Sequence, residues 1–180
     1  MKVISIVGMA GSGKSEVARI FENNGFVKIR FGDITDKEVS KRGLELNEEN
    51  ERYIRQQMRK EHGMSAYAKL SLSRIDYLLK SEDVVVDGLY SWEEYTLMKS
   101  RYGADLYVVA VWSSPEKRYE RLMKRQVRPL TVEEAVSRDI VEIEDTNKGG
   151  PIAMANFFII NGSSLEDLKK QTERVIGALK

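Results

Sequence analysis

The stretch VISIVGMAGSGKSEV, residues 3–17, runs from β-branched apolar residues into a cluster of glycines, a lysine and a serine, and then into a helical pattern. An ordinary strand-to-helix turn manages with one glycine or one capping serine. Here Gly8-Met9-Ala10-Gly11-Ser12-Gly13-Lys14-Ser15 satisfies the pattern G-x-x-x-x-G-K-[ST] at every fixed position. Glycines let successive backbone N–H groups curl around a polyphosphate with no Cβ in the way. The helix that starts at the end of the loop turns its unpaired N–H groups and its positive dipole end toward the same anion. Lys14 adds a mobile charge for the β- and γ-phosphates, and the Ser15 hydroxyl is a hard oxygen ligand suited to Mg²⁺. Residues Gly8 to Ser15, with Glu16 after them, therefore read as the contact surface for a nucleoside triphosphate.

A strand followed by such a helix sets the frame for the remaining chain. Apolar, β-branched segments recur at Lys2–Val7, Phe26–Phe31, Asp83–Val86, Asp105–Trp112 and Asn156–Ile160. None alternates cleanly, which suits strands covered on both faces in a parallel sheet. Helical periodicity lies between them at Ser15–Asn23, Pro115–Arg125 and Thr131–Glu144, and Leu165–Leu179 closes the chain. Strands alternating with helices predict a three-layer, doubly wound α/β fold. The interval between the second and third strands is about fifty residues where a crossover needs about a dozen. It reads as helices Ile34–Arg42, Asn47–Glu61 and Met64–Lys80, split by Gly43 and Gly63. Without repeats or linkers, residues 1–180 are expected to form a single unit, with a helical insertion at 34–80 and a charged insertion at 121–150 before the last strand.

Composition narrows the chemistry. The 180 residues are 42% hydrophobic and 32% charged, as in a globular protein large enough to bury one core. A balance of 29 basic against 28 acidic residues gives no global field to draw in nucleic acid or a membrane surface, so an electrostatic site must be local. With no cysteine, thiolate chemistry, disulfides and cysteine-ligated zinc are excluded, and one histidine, His62, does not make a histidine metal site. The apolar run at the start breaks at Gly8, too short to span a bilayer, and the expected location is the cytoplasm.

Other residues offer chemistry beside the loop. Asp87 ends the apolar run Val84-Val85-Val86, at the sheet edge where ligands bind in such folds. It would orient magnesium or its waters, or else cap the helix that begins near Ser91-Trp92. Arg118, Arg121 and Arg125 recur on one expected helix face, with Arg128 and Arg138 beyond. A movable arginine set is what phosphoryl transfer needs, though Glu116, Glu120, Glu133 and Glu134 could pair them off at the surface. Asp33, after Phe31-Gly32, is a candidate base toward an acceptor hydroxyl or a cap for the next helix. Arg42, Arg52, Arg55 and Arg59 could hold an anionic acceptor, but the interleaved Glu48, Glu49, Glu51 and Glu61 favour a salt-bridged helix surface. His62 reads as the end of a helix. Thr146-Asn147-Lys148-Gly149 looks like the start of a guanine-reading motif, but the required aspartate is Gly150 and no strand precedes it.

In this order the parts resemble the P-loop nucleotide kinases of the adenylate kinase and dephospho-CoA kinase type, and in particular an archaeal adenylate-kinase-related group. "VGMAGSGKS", "IRFGD", "VVVDG", "PEKRYERLMKR" with "TVEEAVSRD", and "IINGSSLEDLKK" carry the resemblance along nearly the whole chain. It implies a five-stranded sheet ordered 2-3-1-4-5, ATP with Mg²⁺, and a small nucleotide-like acceptor. Ser15 and Asp87 would serve the metal, Arg121 would stack on the adenine, and the Asn161-Gly162 loop would border the base. Lys14, Arg125 and Arg138 would touch phosphates, with Asp33 as base if the acceptor is a hydroxyl. Adenylate kinases carry an arginine soon after the strand-two "GD" and read "DGFPR" after strand three. This chain has Asp36-Lys37 and Asp87-Gly88-Leu89-Tyr90-Ser91, so the familiar acceptor-phosphate arginines are missing. An ATPase or assembly factor on the same scaffold, with a protein partner in place of a small acceptor, is the alternative that this absence suggests.

Overall fold

A computed structural model describes residues 1–179 as a parallel five-stranded sheet between layers of helices. The strands are β1 (Val3–Val7), β2 (Val27–Arg30), β3 (Val84–Asp87), β4 (Leu106–Trp112) and β5 (Phe157–Ile160). The helices are α1 (Lys14–Asn23), α2 (Gly32–Lys41), α3 (Glu48–His62), α4 (Ala66–Leu78), α5 (Trp92–Tyr102), α6 (Pro115–Met123), α7 (Val132–Glu144), α8 (Gly149–Ala153) and α9 (Leu165–Leu179). The sheet order is β2-β3-β1-β4-β5, as the resemblance implied. Ile6 lies opposite Asp87 and Val7 opposite Ala110, so the carboxyl ends of β1, β3 and β4 sit side by side.

The unbroken apolar runs are explained by burial on both faces. Val3, Val7, Val84, Val86 and Val108 pack under α2–α5, while Ile4, Ile6, Val85, Val109 and Val111 pack against α1 and α9. Phe21 of α1 meets Phe26 edge to face with centroids 5.1 Å apart, closing the turn into β2. Losing a buried ring of that size costs about 3–5 kcal/mol. The outermost strand departs from the pattern: in β5 Ile159 is buried, whereas Phe158 and Ile160 are about half exposed.

The long crossover between β2 and β3 is indeed helical. Asn47 starts α3 by accepting the Asn50 N–H at 2.9 Å, and Gly63 follows its last residue, His62. Glu48, Glu49 and Glu51 in its first turn and Arg59, Lys60 and His62 in its last suit the helix dipole. The expected helix Pro115–Arg125 ends at Met123, so Arg125 leaves the helix face that it was expected to share with Arg118 and Arg121. Lys124 already has non-helical backbone angles, and the connection to α7 includes Arg128 at φ 57° and Pro129. Thr131 and Glu134 then form a reciprocal capping box that restarts the chain as α7. Ser91, not Asp87, caps α5, accepting the Glu94 N–H at 3.1 Å. Among the described residues no helix is long and apolar enough to cross a membrane.

Candidate active site

The phosphate-binding pattern lies between the buried β1 and the first turn of α1, as its chemistry requires. Gly11 and Gly13 have φ of 78° and 102°, in the region that side chains rarely adopt. A Cβ at Gly11 would stand 2.7 Å from the Arg118 carbonyl oxygen, and one at Gly13 would collide with the Asn161 amide. The glycines are thus required by protein packed behind the loop, in addition to any ligand in front of it.

That packing comes from α6 and from the turn after β5. Arg118, 4% exposed, donates to the Ala10 carbonyl at 3.0 Å and to both Asp139 oxygens at 2.9 and 2.6 Å. The Asn161 amide donates to the Ser12 carbonyl at 2.9 Å. Arg121 donates to Ser113 Oγ and to the Asn161 carbonyl, both at 3.1 Å. Loop carbonyls are therefore engaged from behind. Among the described residues, no backbone partner takes the N–H groups of Gly11, Gly13, Lys14 or Ser15. That is an anion cradle.

A cavity of about 490 Å³ opens beside the cradle. Ala10, Gly11, Lys14 and Ser15 line it together with Asp87 from the end of β3. Arg52, Arg55 and Arg59 of α3 line it as well, with Arg138 and Glu142 of α7 and Arg125 and Arg128 from the α6–α7 connection. Ion pairs span it: Arg138 Nη1 reaches Glu48 at 2.9 Å, Arg128 pairs with Glu51, and Arg128 Nη1 lies 3.3 Å from Asp36.

Cations outnumber what these carboxylates neutralise. Burial and the nearby Lys148 push the Lys14 ammonium down to about 7. Its one hydrogen bond goes to the Met9 carbonyl at 3.0 Å. Arg125 is exposed yet lines the cavity; partial desolvation there, with Arg138 and Arg128 nearby, lowers it, and among the described residues it has no ion pair or hydrogen bond. Lys148 is 1% exposed, lies 2.7 Å from Glu142 and stands 5.2 Å from the centre of the Tyr90 ring. Burial opposes ionisation of Glu142, yet Lys148, Arg138 and Lys14 hold its carboxyl far below the usual range. A polyphosphate would relieve the crowding of the cations Lys14, Arg125, Arg138 and Lys148.

Several expectations change. Asp33 is not brought to the cavity wall. Its side chain is 47% exposed and paired with Arg30 at 2.9 Å, while Asp36 one turn on does line the cavity. The arginine face of α6 is divided: Arg118 is locked to Asp139, Arg121 holds the loop, and only Arg125 reaches the cavity. On α3, Arg42-type surface pairing does not extend to Arg52 and Arg59, which line the cavity and have no carboxylate partner among the described residues. Lys148, discounted with its incomplete motif, is a cavity cation. The Asn161-Gly162 turn and Arg121 lie behind the loop, outside the lining of the cavity.

Magnesium can be tested against the donors present. Among the described residues no cluster of three or more His, Cys, Asp or Glu side chains could hold a metal unaided. Ser15 and Asp87 line the same cavity, and among the described residues Asp87 forms no ion pair that would have to be broken. A hydroxyl and one carboxylate suit a cation that keeps its waters and takes its other oxygens from substrate phosphates. The residues fit that mode of binding.

Comparison with known proteins gives the family and the fold of the chain. Residues 4–142 match the family model described as an AAA domain. A UPF0200 protein of Thermococcus kodakarensis is 36% identical over 97% of this chain and 96% of its own length. One from Sulfurisphaera tokodaii is 35% identical over 98% of this chain and 96% of its own. Among solved structures, a shikimate kinase from Bacteroides thetaiotaomicron aligns with a TM-score of 0.62 at 12% identity, covering 99% of this chain and 98% of its own. A gluconokinase from Sinorhizobium meliloti aligns with a TM-score of 0.61 at 17% identity, covering 99% and 95%. At such identities the likeness shows the P-loop kinase fold.

Proposed function

The chain belongs to the UPF0200 family of archaeal proteins, and from that premise we propose that it is a P-loop kinase that moves the γ-phosphoryl group of Mg·ATP to a small, nucleotide-like acceptor in the cytoplasm. The observation that carries this reading is one cavity joining the cradle to the arginines of α3. A site for nucleotide hydrolysis alone needs no arginine-lined extension of the cavity away from the loop.

In this reading the free N–H groups of the loop and Lys14 hold the β- and γ-phosphates, and Ser15 and Asp87 take magnesium with its waters. Magnesium, when bound, neutralises charge on the transferred group. Arg125 and Arg138 face the same space and stabilise charge spread over the phosphoryl oxygens. Arg121 and the Asn161-Gly162 turn fix the loop and border the adenine. Residues 121–150 act as a lid, and the helical insertion 34–80 supplies the acceptor wall; the pairs Arg138–Glu48 and Arg128–Glu51 latch the two.

The test follows label from the γ-position of ATP into AMP, other nucleoside monophosphates, dephospho-CoA, or water. Label recovered on one added compound identifies a kinase and its acceptor. Label released only as inorganic phosphate, at a rate that no compound changes, would replace this reading with that of an ATP-driven assembly factor.

A further inference from the structure

The carboxylates and cations that line the cavity carry information about the acceptor. Asp36 is held by Arg30 and Arg128, Glu48 by Arg55 and Arg138, Glu51 by Arg55 and Arg128, and Glu142 by Arg138 and Lys148. Asp87 is left, at the cradle where it suits magnesium, and so is the exposed Asp145 at the end of α7. A carboxylate locked to an arginine is a poor proton acceptor, because the arginine stabilises its charged form. Four of the six carboxylates of the wall are therefore poor bases toward a hydroxyl nucleophile, and the other two are Asp87 on the magnesium side and the exposed Asp145.

The cations are distributed the other way. Among the described residues Arg52 has no carboxylate partner; its Nη2 donates to Ser137 Oγ at 2.9 Å. Arg59 lies two helical turns further along the same face, with no ion pair among the described residues and a buried Nε that has no hydrogen-bond partner among them. Its guanidinium carbon is 5.8 Å from the centre of the Tyr67 ring, which orients the fork. A buried Nε–H with no acceptor is costly to maintain unless an anion arrives to meet it. Glu94 lies close by with Oε1 unpartnered, but burial pushes its carboxyl up to about 7, so it is a weak counter-ion.

Resting on the kinase reading, we infer that Arg59 and Arg52 form an oxyanion subsite, and that the acceptor's own oxyanion, a phosphomonoester or carboxylate, is the nucleophile. An oxygen of that anion forms the new bond to the γ-phosphorus as the bond to the β,γ-bridging oxygen breaks. ADP leaves with the electron pair, and no proton has to be removed. The product is a phosphoric anhydride or an acyl phosphate. The α3 arginines thus replace the acceptor arginines that are absent after β2 and β3.

Matched pairs of acceptors test this directly: nucleoside monophosphates against the corresponding nucleosides, acetate and aspartate as carboxylates, and dephospho-CoA for its hydroxyl. ADP formation is followed with identification of the product, and hydroxylamine traps an acyl phosphate. The expected result is acceleration by the monophosphates or by the carboxylates, with the phosphoryl group on the oxyanion. Phosphorylation of a hydroxyl would overturn the inference and leave the kinase reading intact. Acceleration by none would remove the kinase reading and this inference with it.

With the active acceptor, Arg59→Gln should raise its KM about tenfold or more and leave the KM for ATP within about twofold, the size expected for a charge-assisted contact. Arg59→Lys should recover part of the loss. If Arg59 served only to offset Glu94, adding Glu94→Gln to Arg59→Gln would restore the acceptor KM, and that result would overturn the assignment. Thermal unfolding of each variant identifies any that fail to fold, in which case Arg52→Gln carries the same KM comparison.

Discussion

Arg118 donates to both carboxylate oxygens of Asp139, at 2.9 and 2.6 Å, while its Nη1 also holds the Ala10 carbonyl at 3.0 Å. One guanidinium therefore fastens α6 to α7 and both to the back of the phosphate loop. Tyr119 donates to the same Asp139 at 2.9 Å, so the carboxylate is well supplied with donors. A pair this buried acts as scaffold for the loop, whereas Arg125, seven residues on, lines the cavity with no partner among the described residues.

Removing one member of the pair leaves the other charged and buried, a loss of about 3–5 kcal/mol. Arg118→Met should lower stability by that order in guanidinium denaturation. The double substitution Arg118→Met with Asp139→Leu should recover much of it, because neither charge then remains stranded. A loss below about 1 kcal/mol in the single variant would contradict the structural role.

Lys14→Ala should abolish turnover, by about 10²-fold or more, with circular dichroism and melting temperature preserved. The side chain makes one internal hydrogen bond, so little of the fold depends on it. Unchanged turnover would mean that the glycine-rich loop does not hold the reacting phosphates.

The lowered Lys14 ammonium predicts the pH dependence of binding. Free protein loses this proton as pH rises through about 7. A bound polyphosphate favours the charged form and raises the value again. Binding near pH 8 should therefore take up protons, and affinity should fall with rising pH above about 7. Lys148, lowered mainly by burial, acts in the same direction. In the absence of ligand the sign for stability is opposite. The unfolded chain holds the Lys14 proton up to its ordinary value of 10.5, so stability from this group rises with pH between about 7 and 10.5. Calorimetry in buffers of different ionisation enthalpy measures the proton uptake, and Lys14→Met should reduce it.

Arg125→Ala should slow phosphoryl transfer by about 10-fold or more while changing ATP affinity less, since a residue off the helix and without an internal partner has its effect in the closed complex. Equal, small changes in both quantities would return Arg125 to the solvent.

Much of this was legible in the chain because the loop pattern demands its surroundings. Gly8 to Ser15 requires a strand before and a helix after, and the doubly covered strands announce themselves as unbroken apolar runs. The α3 wall of the cavity was not legible. Glu48, Glu51, Arg52, Arg55 and Arg59 read alike whether they pair along the helix or across a cavity, and the decisive partner of Glu48 is Arg138, 90 residues away. The fate of Arg125 turned on where α6 ends, which periodicity does not resolve to the residue. Lys148 follows Asn147 at φ 49° in the turn into α8, and no strand or familiar motif marks that place as part of a site.

The most direct measurement is the ratio of ADP formed to acceptor phosphorylated, with purified protein, saturating Mg·ATP and each candidate acceptor in turn. One acceptor should accelerate ADP formation and give a ratio of one. ADP formed slowly, at the same rate with every acceptor and with none, would contradict the assignment of this chain as a kinase.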